Sequence, residues 1–444
     1  MDHITCRLFG KYHRLVQDNK FSSSMNAGKP SQIPAREPDD EIRSFYDHHP
    51  YPPPITDLDS YRQLWQAGDR LRVDFHLLWP VARYREDLEI LVAGCGTSQA
   101  ARHAIRQPTA QVTGIDISTT SLHHTRELKR KYNLKNLHIH ELPLERVGKL
   151  GRQFDKIICT GVLHHLADPE AGLQALRAVL KPEGAMHLMV YARYGRTGIY
   201  MLQEYARLLG ISASEGEIED LLAVLREIPR GHPLDHLLRQ SPDFHHPGAL
   251  ADALLNPRDR AYSVPELFDF IARCGLIFGR WVRQAPYLPY CGIISHTPQH
   301  ARLSNLSPQQ QYAAVELFRG TLTSHSFIAY RDDCPVRQPS IRFDGDTWLT
   351  YKPIRQPRLV SIQERLPPGA AAVLINQEHV DTDLIHPINV YEKSLFDEID
   401  GQKTIAEIID SKAASTGARP NLDSVRKFFE RLWQYDHVVF DVSK

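Results

Sequence analysis

The turn Gly94-Cys95-Gly96-Thr97-Ser98 follows the apolar run EILVA, and twenty residues beyond Gly96 the carboxylate of Asp116 closes the run TGID. Glycines between a strand and a helix permit a tight turn and let a ligand approach the backbone. A carboxylate at the end of the next strand can accept both hydroxyls of a ribose. A glycine-rich turn alone is weak evidence. Combined with Asp116 at this spacing, three further strand patterns and no Walker lysine, it points to a cofactor that contains a nucleoside.

These residues need a scaffold, and the chain from Glu89 supplies its pattern. EILVAGCG, QVTGIDIS, NLHIHEL, FDKIICTG and GAMHLMVYA alternate with the amphipathic segments AARHAIRQ, SLHHTRELKRKYN and EAGLQALRAVLKP. Strand followed by helix, repeated at this spacing, predicts an α/β sandwich with a parallel sheet covered on both faces. LKPEGAM reads as a turn, with Pro182 ending the preceding helix and Gly184 supplying conformational freedom. After Tyr191 the alternation stops. IYMLQEYARLLG, EIEDLLAVLREI and SVPELFDFIARCG predict three helices inserted over a sheet edge or site mouth, the last opened by a Ser263/Glu266 capping box. Upstream, Phe45, Tyr46, His48, His49 and Tyr51 form an aromatic strap before a helix expected from about Leu58.

The expected organisation is a weakly ordered segment at 1–40, the strap and a lid helix at 41–79, a core domain at 80–298, an α+β accessory region at 299–390 and a winged-helix-like region at 391–444. The Ser, Pro, Gly and charged residues near the start offer little to a core. In the tail, Thr404 and Glu407 resemble another capping box, followed by packed helices and a terminal strand.

In motif order and spacing, residues 80–295 resemble class I S-adenosylmethionine-dependent methyltransferases, whose fold is a Rossmann-like sandwich. That resemblance implies S-adenosylmethionine as donor and S-adenosylhomocysteine as product. Gly94 and Gly96 would let the backbone pass beneath the methionyl part, Asp116 would hold the ribose and Ile117 would pack on adenine. Glu141 and Leu142 match the loop beside the adenine ring, and Thr160, Gly161 and Val162 would flank the methionine moiety. The family usually has an acid two residues before the first glycine and often a third glycine; here Val92 and Ser98 stand there. The order of strap, core and C-terminal extension also resembles bacterial methyltransferases with an appended regulatory region, some of which methylate protein lysines.

Transfer from a sulfonium is an in-line displacement helped chiefly by alignment, and an oxygen or protonated amine acceptor must first lose a proton. His164 and His165, after the fourth strand, are the candidate bases; both also suit helix capping or pocket shaping. Adjacent side chains diverge, so at most one addresses the methyl group. Tyr46, His49, Tyr51, Tyr191, Arg193, Tyr194 and Arg258 are the candidate acceptor contacts, and the competing reading is core packing for the tyrosines and solvation for the arginines.

The acceptor expected is a small molecule bearing O or N, with a polypeptide as the alternative and a non-catalytic binding protein as the remaining class. The chain of 444 residues carries 53 basic and 53 acidic side chains, so bulk charge makes no case for nucleic acid or an anionic membrane. Residues 391–444 hold ten Asp/Glu against eight Lys/Arg, which disfavours a DNA-binding winged helix. No run of about 20 apolar residues and no signal-type segment occurs, so a cytoplasmic location is expected. Six scattered cysteines predict free thiols. The histidine pairs beginning at 48, 123, 164 and 245 lack metal-ligand spacing, so no metal is assigned. A homodimer is compatible with the C-terminal extension.

Overall fold

The computed structural model describes residues 38–66, 69–240, 246–335, 341–416 and 421–443. The weakly ordered segment expected at 1–40 lies outside them except for its last three residues. Along the chain the described elements are α1 (Pro38–His48), α2 (Asp59–Gln66), α3 (Arg70–Leu78), β1 (Glu89–Ala93), α4 (Gln99–Arg106), β2 (Gln111–Asp116), α5 (Thr119–Lys131), β3 (Leu137–Glu141), β4 (Phe154–Thr160), α6 (Pro169–Val179) and β5 (Leu180–Ala192). Four helices follow among the described residues: α7 (Thr197–Leu209), α8 (Glu215–Arg226), α9 (Asp235–Gln240) and α10 (Pro247–Leu255). Then come β6 (Ala261–Tyr262), α11 (Val264–Arg273), β7 (Leu276–Trp281), α12 (His300–Ser304), α13 (Pro308–Arg319) and β8 (Ser324–Arg331).

The main sheet runs β3–β2–β1–β4–β5–β8–β7, with β6 beside β5. Strands β1 to β5 are mutually parallel, whereas β8 is antiparallel to both β5 and β7. The fold is therefore the expected α/β Rossmann-like sandwich. β1 shows why its sequence is continuously apolar: Leu91 and Ala93 enter the core on one face of the sheet, Ile90 and Val92 the core on the other. Between β1 and β4 the chain order reverses, and connections leave to opposite sides. That reversal opens a crevice at the carboxyl ends of the strands.

Two local expectations change. The helix before β5 ends at Val179, and the expected turn lies inside β5, where Leu180 pairs with Phe154 but Ala185 with Lys156. Pro182 and Glu183 sit, exposed, in that irregularity, where no ladder hydrogen bond is asked of proline. The sheet also does not close at residue 298, because β8 fills the space between β5 and β7. Met186 to Tyr191 pair with Ala329 to Ser324, a pairing across more than 130 residues.

Beyond β8, β9 (Lys352–Arg355), β10 (Leu359–Ile362), β11 (Ala372–Asn376), β12 (Ile385–Ile388), α14 (Val390–Asp397), α15 (Ile405–Thr416), α16 (Leu422–Gln434) and β13 (Val438–Asp441) form an α+β unit. One core joins Phe343, Trp348 and Leu374 to Leu395, Phe428 and Phe440, so it crosses the expected division at residue 390. The pairing of β13 with β9 ties the last strand to the unit's beginning. Thr404 and Glu407 make the anticipated reciprocal cap, as do Ser263 and Glu266 at α11. Four of the described cysteines, 95, 159, 274 and 291, are buried free thiols and Cys334 is half-buried.

Candidate active site

The crevice contains a cavity of about 370 Å³, lined on one side by Gly94, Gly96, Ser98, Asp116, Ile117, Leu142, Thr160 and Gly161. Gly94, Gly96 and Gly161 have φ of 66, 53 and 78°, the left-handed region that a side chain disfavours. A Cβ on Gly94 would also lie 2.2 Å from Val162 Cγ2, and one on Gly96 would lie 3.0 Å from the Tyr51 carbonyl oxygen. The turn is fixed from several sides: Cys95 N–H donates to the Ile115 carbonyl (2.9 Å), Thr125 Oγ1 to the Gly96 carbonyl (2.9 Å), and Thr97 Oγ1 to the Pro52 carbonyl (2.8 Å).

Asp116 ends β2 with each carboxylate oxygen accepting one backbone N–H, Gly96 to Oδ2 at 2.8 Å and Ser118 to Oδ1 at 2.9 Å. Ile117 N–H also bears on the carboxylate, and a carboxylate's roughly four acceptor positions still leave room for a hydroxyl donor. Burial pushes the Asp116 pKa up, and those N–H groups pull partly against it. Ser98 Oγ is buried on the same wall and has no partner among the described residues. The narrow glycine turn, the cavity-lining carboxylate and this orphaned hydroxyl fit an adenosyl group carrying a polar amino-acid tail. Glu141 lies apart from the cavity; it is exposed and reaches Arg43 at 3.7 Å.

The opposite wall comes from distant parts of the chain. α1 and the loop after it contribute Ile42, Tyr46, Tyr51 and Pro52; β5 contributes Met189 and Tyr191; α10 contributes Asp252; the loop after α10 contributes Arg258. Tyr46 Oη donates to Asp252 Oδ1 at 2.8 Å and Tyr191 Oη to Oδ2 at 3.3 Å. Asn256 Nδ2 donates to both Asp252 Oδ1 and Tyr46 Oη, at 3.2 and 3.1 Å. Burial, reinforced by the Asp252 charge, pushes both phenols well above their usual pKa, so they stay neutral donors. α1 is held down further by Asp47, whose Oδ1 accepts from Ser118 Oγ (2.8 Å) and Thr120 N–H (3.2 Å) at the start of α5.

The two histidines separate. His165 lines the cavity, and its Nδ1 lies 2.5 Å from the Arg258 carbonyl oxygen. A carbonyl only accepts, so Nδ1 carries the proton and Nε2 holds a free lone pair in the neutral ring. His164 instead stacks on Tyr191 at 3.8 Å, and neither ring nitrogen has a partner among the described residues. Burial pushes its pKa well down. It packs Tyr191 from behind and stands outside the cavity lining.

Of the other expected acceptor contacts, Tyr46, Tyr51, Tyr191 and Arg258 converge on the cavity, and three residues do not. His49 packs on Phe45 (5.3 Å). Arg193 pairs with Glu266 (2.6 Å) at the start of α11. Tyr194 is exposed, and its carbonyl accepts from Thr197 Oγ1 at 2.7 Å. These side chains follow the path of a chain turning away from the sheet. Asp252, Asn256 and Gln99, which donates to Thr160 Oγ1 at 2.8 Å, are residues that sequence reasoning missed. The available signal was a lone acid inside the otherwise apolar helix GALADALL.

Residues 91–186 match a family model described as a methyltransferase domain. An uncharacterized protein of Synechococcus sp. is 31% identical over 325 residues, covering 71% of this chain and 76% of that protein. The chain belongs to the class I S-adenosylmethionine-dependent methyltransferases. The methyltransferase is also 28% identical over 159 residues to the ubiquinone biosynthesis O-methyltransferase of Bordetella avium, a match covering 34% of this chain and 56% of that enzyme. It spans little more than half the length of that relative. The structure of PKMT2 from Rickettsia typhi shares its fold with TM-score 0.61 and 15% identity, over 88% of this chain and 77% of that one. Among the described residues, no helix of the methyltransferase is long and apolar enough to cross a membrane.

Proposed function

We propose that the methyltransferase methylates an oxygen or nitrogen of a small molecule, with His165 as the group that takes the acceptor's proton. The supporting observation is that one cavity carries the donor-side residues Gly94, Gly96, Asp116 and Thr160 together with His165, Tyr46, Tyr191 and Asp252. S-adenosylmethionine, when bound, supplies a methyl group on a positively charged sulfur. Asp116 receives the ribose hydroxyls, Ser98 Oγ offers a polar contact to the amino-acid tail, and Gly94 and Gly96 keep the backbone close.

The anchored Nδ1–H holds the His165 ring so that Nε2 can receive a proton, an effect worth about 10²–10⁴ in rate when the base is well placed. α1 and the Tyr51–Pro52 segment cover the reacting region, which excludes water and restricts the acceptor to something that fits beneath the strap. Alignment under that cover is the larger contribution, about 7–11 kcal/mol in favourable cases.

A polypeptide acceptor is the second reading. It is favoured by the exposed stripe Met201, Tyr205, Leu208 and Leu209 on α7, a helix packed on the one that carries Asp252. Incubating the protein with methyl-labelled donor and a cell extract separates the two readings. A labelled low-mass product distinct from the donor supports the small acceptor; labelled macromolecule with no such product refutes it.

A further inference from the structure

The acceptor wall holds a buried negative charge that the fold does not neutralise. Asp252 is 3% exposed and lines the cavity, yet among the described residues no Lys, Arg or His lies within ion-pair distance of it. Arg196, the nearby buried guanidinium, is spent on Asp259 at 2.8 Å and on the Tyr191 ring face at 3.4 Å. Arg258 shares the wall but has an interaction of its own. Three hydrogen bonds steady the carboxylate: Tyr46 and Asn256 fill Oδ1, and Tyr191 takes one position on Oδ2. A carboxylate offers about four acceptor positions, so Oδ2 keeps one. A latch for α1 alone would need only the Oδ1 side. Buried charges in proteins are paired, because desolvating a lone carboxylate is costly. Tyr46, Tyr51 and Tyr191 line the same cavity.

We propose that Asp252 is the specificity-determining residue for a cationic amine, making the methyltransferase an N-methyltransferase of a primary or secondary ammonium acceptor. This rests on the donor and acceptor sides of the cavity being as described above. The ammonium head pairs with Oδ2 of Asp252 and loses one proton to Nε2 of His165, from which it passes to water. The freed nitrogen lone pair forms the N–C bond as the donor's S–C bond breaks, and the S–C electron pair stays on sulfur. The products are the methylated ammonium, neutral S-adenosylhomocysteine and one released proton.

Calorimetric titration tests this without an acceptor. The probe is sinefungin, a donor analogue that bears an ammonium where the transferable methyl projects; S-adenosylhomocysteine carries neither. Sinefungin is expected to bind wild-type protein at least tenfold more tightly than S-adenosylhomocysteine. Asp252→Asn is expected to erase that ratio while leaving the S-adenosylhomocysteine affinity within twofold. Equal affinities in the wild type, or a ratio that survives in Asp252→Asn, overturn the proposal. So does a loss of S-adenosylmethionine affinity in the variant as large as the loss for sinefungin, because the carboxylate would then serve the sulfonium. If Asp252→Asn does not fold, the wild-type ratio decides. Absence of any S-adenosylhomocysteine binding would instead overturn the reading of the donor site.

Discussion

Gly94→Ala tests whether the glycine turn is shaped by the strand ends that surround it. At φ 66° an alanine costs about 1–2 kcal/mol in backbone strain. Its Cβ would also meet Val162 Cγ2 at 2.2 Å and Cγ1 at 3.1 Å, an overlap that requires movement and costs about 1–3 kcal/mol. Together these predict a loss of about 2–5 kcal/mol, or a fall in melting temperature of roughly 4–20 °C at about 2–4 °C per kcal/mol. Val162→Ala removes both colliding methyls and leaves only the Val162 Cβ position at 3.2 Å, so in the double variant most of the packing part disappears and the backbone part stays. The double-mutant cycle should therefore show a favourable coupling of about 1–3 kcal/mol. Circular dichroism melts of the four proteins, with and without S-adenosylhomocysteine, provide the measurement. If Gly94→Ala lies within about 0.5 kcal/mol of wild type, or if the cycle shows no coupling, the account of this turn is wrong.

Asp116→Asn should weaken S-adenosylhomocysteine binding by roughly 10–100-fold in calorimetry, the worth of about 1.5–3 kcal/mol for a hydrogen bond to a charged group. Because burial raises the Asp116 pKa, wild-type affinity should start to fall at a higher pH than an ordinary aspartate would give, and this limb should be missing in the variant. His165→Gln should reduce labelled-methyl turnover by about 10²–10⁴ without altering donor affinity, whereas His164→Gln should lower the melting temperature and leave the pH–rate profile in place. Asp74 is set against Lys156 at 2.6 Å beneath the sheet; burial opposes both charges, but Lys156 and Arg106 hold Asp74 at about 2. With a folded pKa below the unfolded value, its stabilisation is complete above pH about 4 and is lost as pH falls through about 2. Asp74→Asn, which strands Lys156, should cost about 3–5 kcal/mol near neutrality, and acid melts should lose their steep limb between those values.

The acceptor side was the least legible part of the chain. Tyr46, Tyr191, Asp252 and Arg258 come from four elements spread over more than 200 residues, and each also has an ordinary reading as packing or solvated surface. His164 and His165 are identical in type and adjacent. Only the direction in which the 3-10 turn after β4 carries them makes one a stacking partner for Tyr191 and the other a lining residue. For β8, the SFIAYR segment shows strand propensity but not its partners, and only sheet closure places it between β5 and β7.

What the sequence determined by itself was whatever repeats locally. Continuous apolar runs separated by amphipathic segments encode burial on two faces, and hence the parallel sheet. A glycine turn followed twenty residues later by Asp116 encodes the donor side, since both stand at the ends of neighbouring parallel strands. Tertiary structure alone decided the rest, because an uncompensated charge such as Asp252 has meaning only once its neighbours are known. Which side chains converge across a cavity depends on contacts between segments far apart in the chain, and local periodicity carries no record of them.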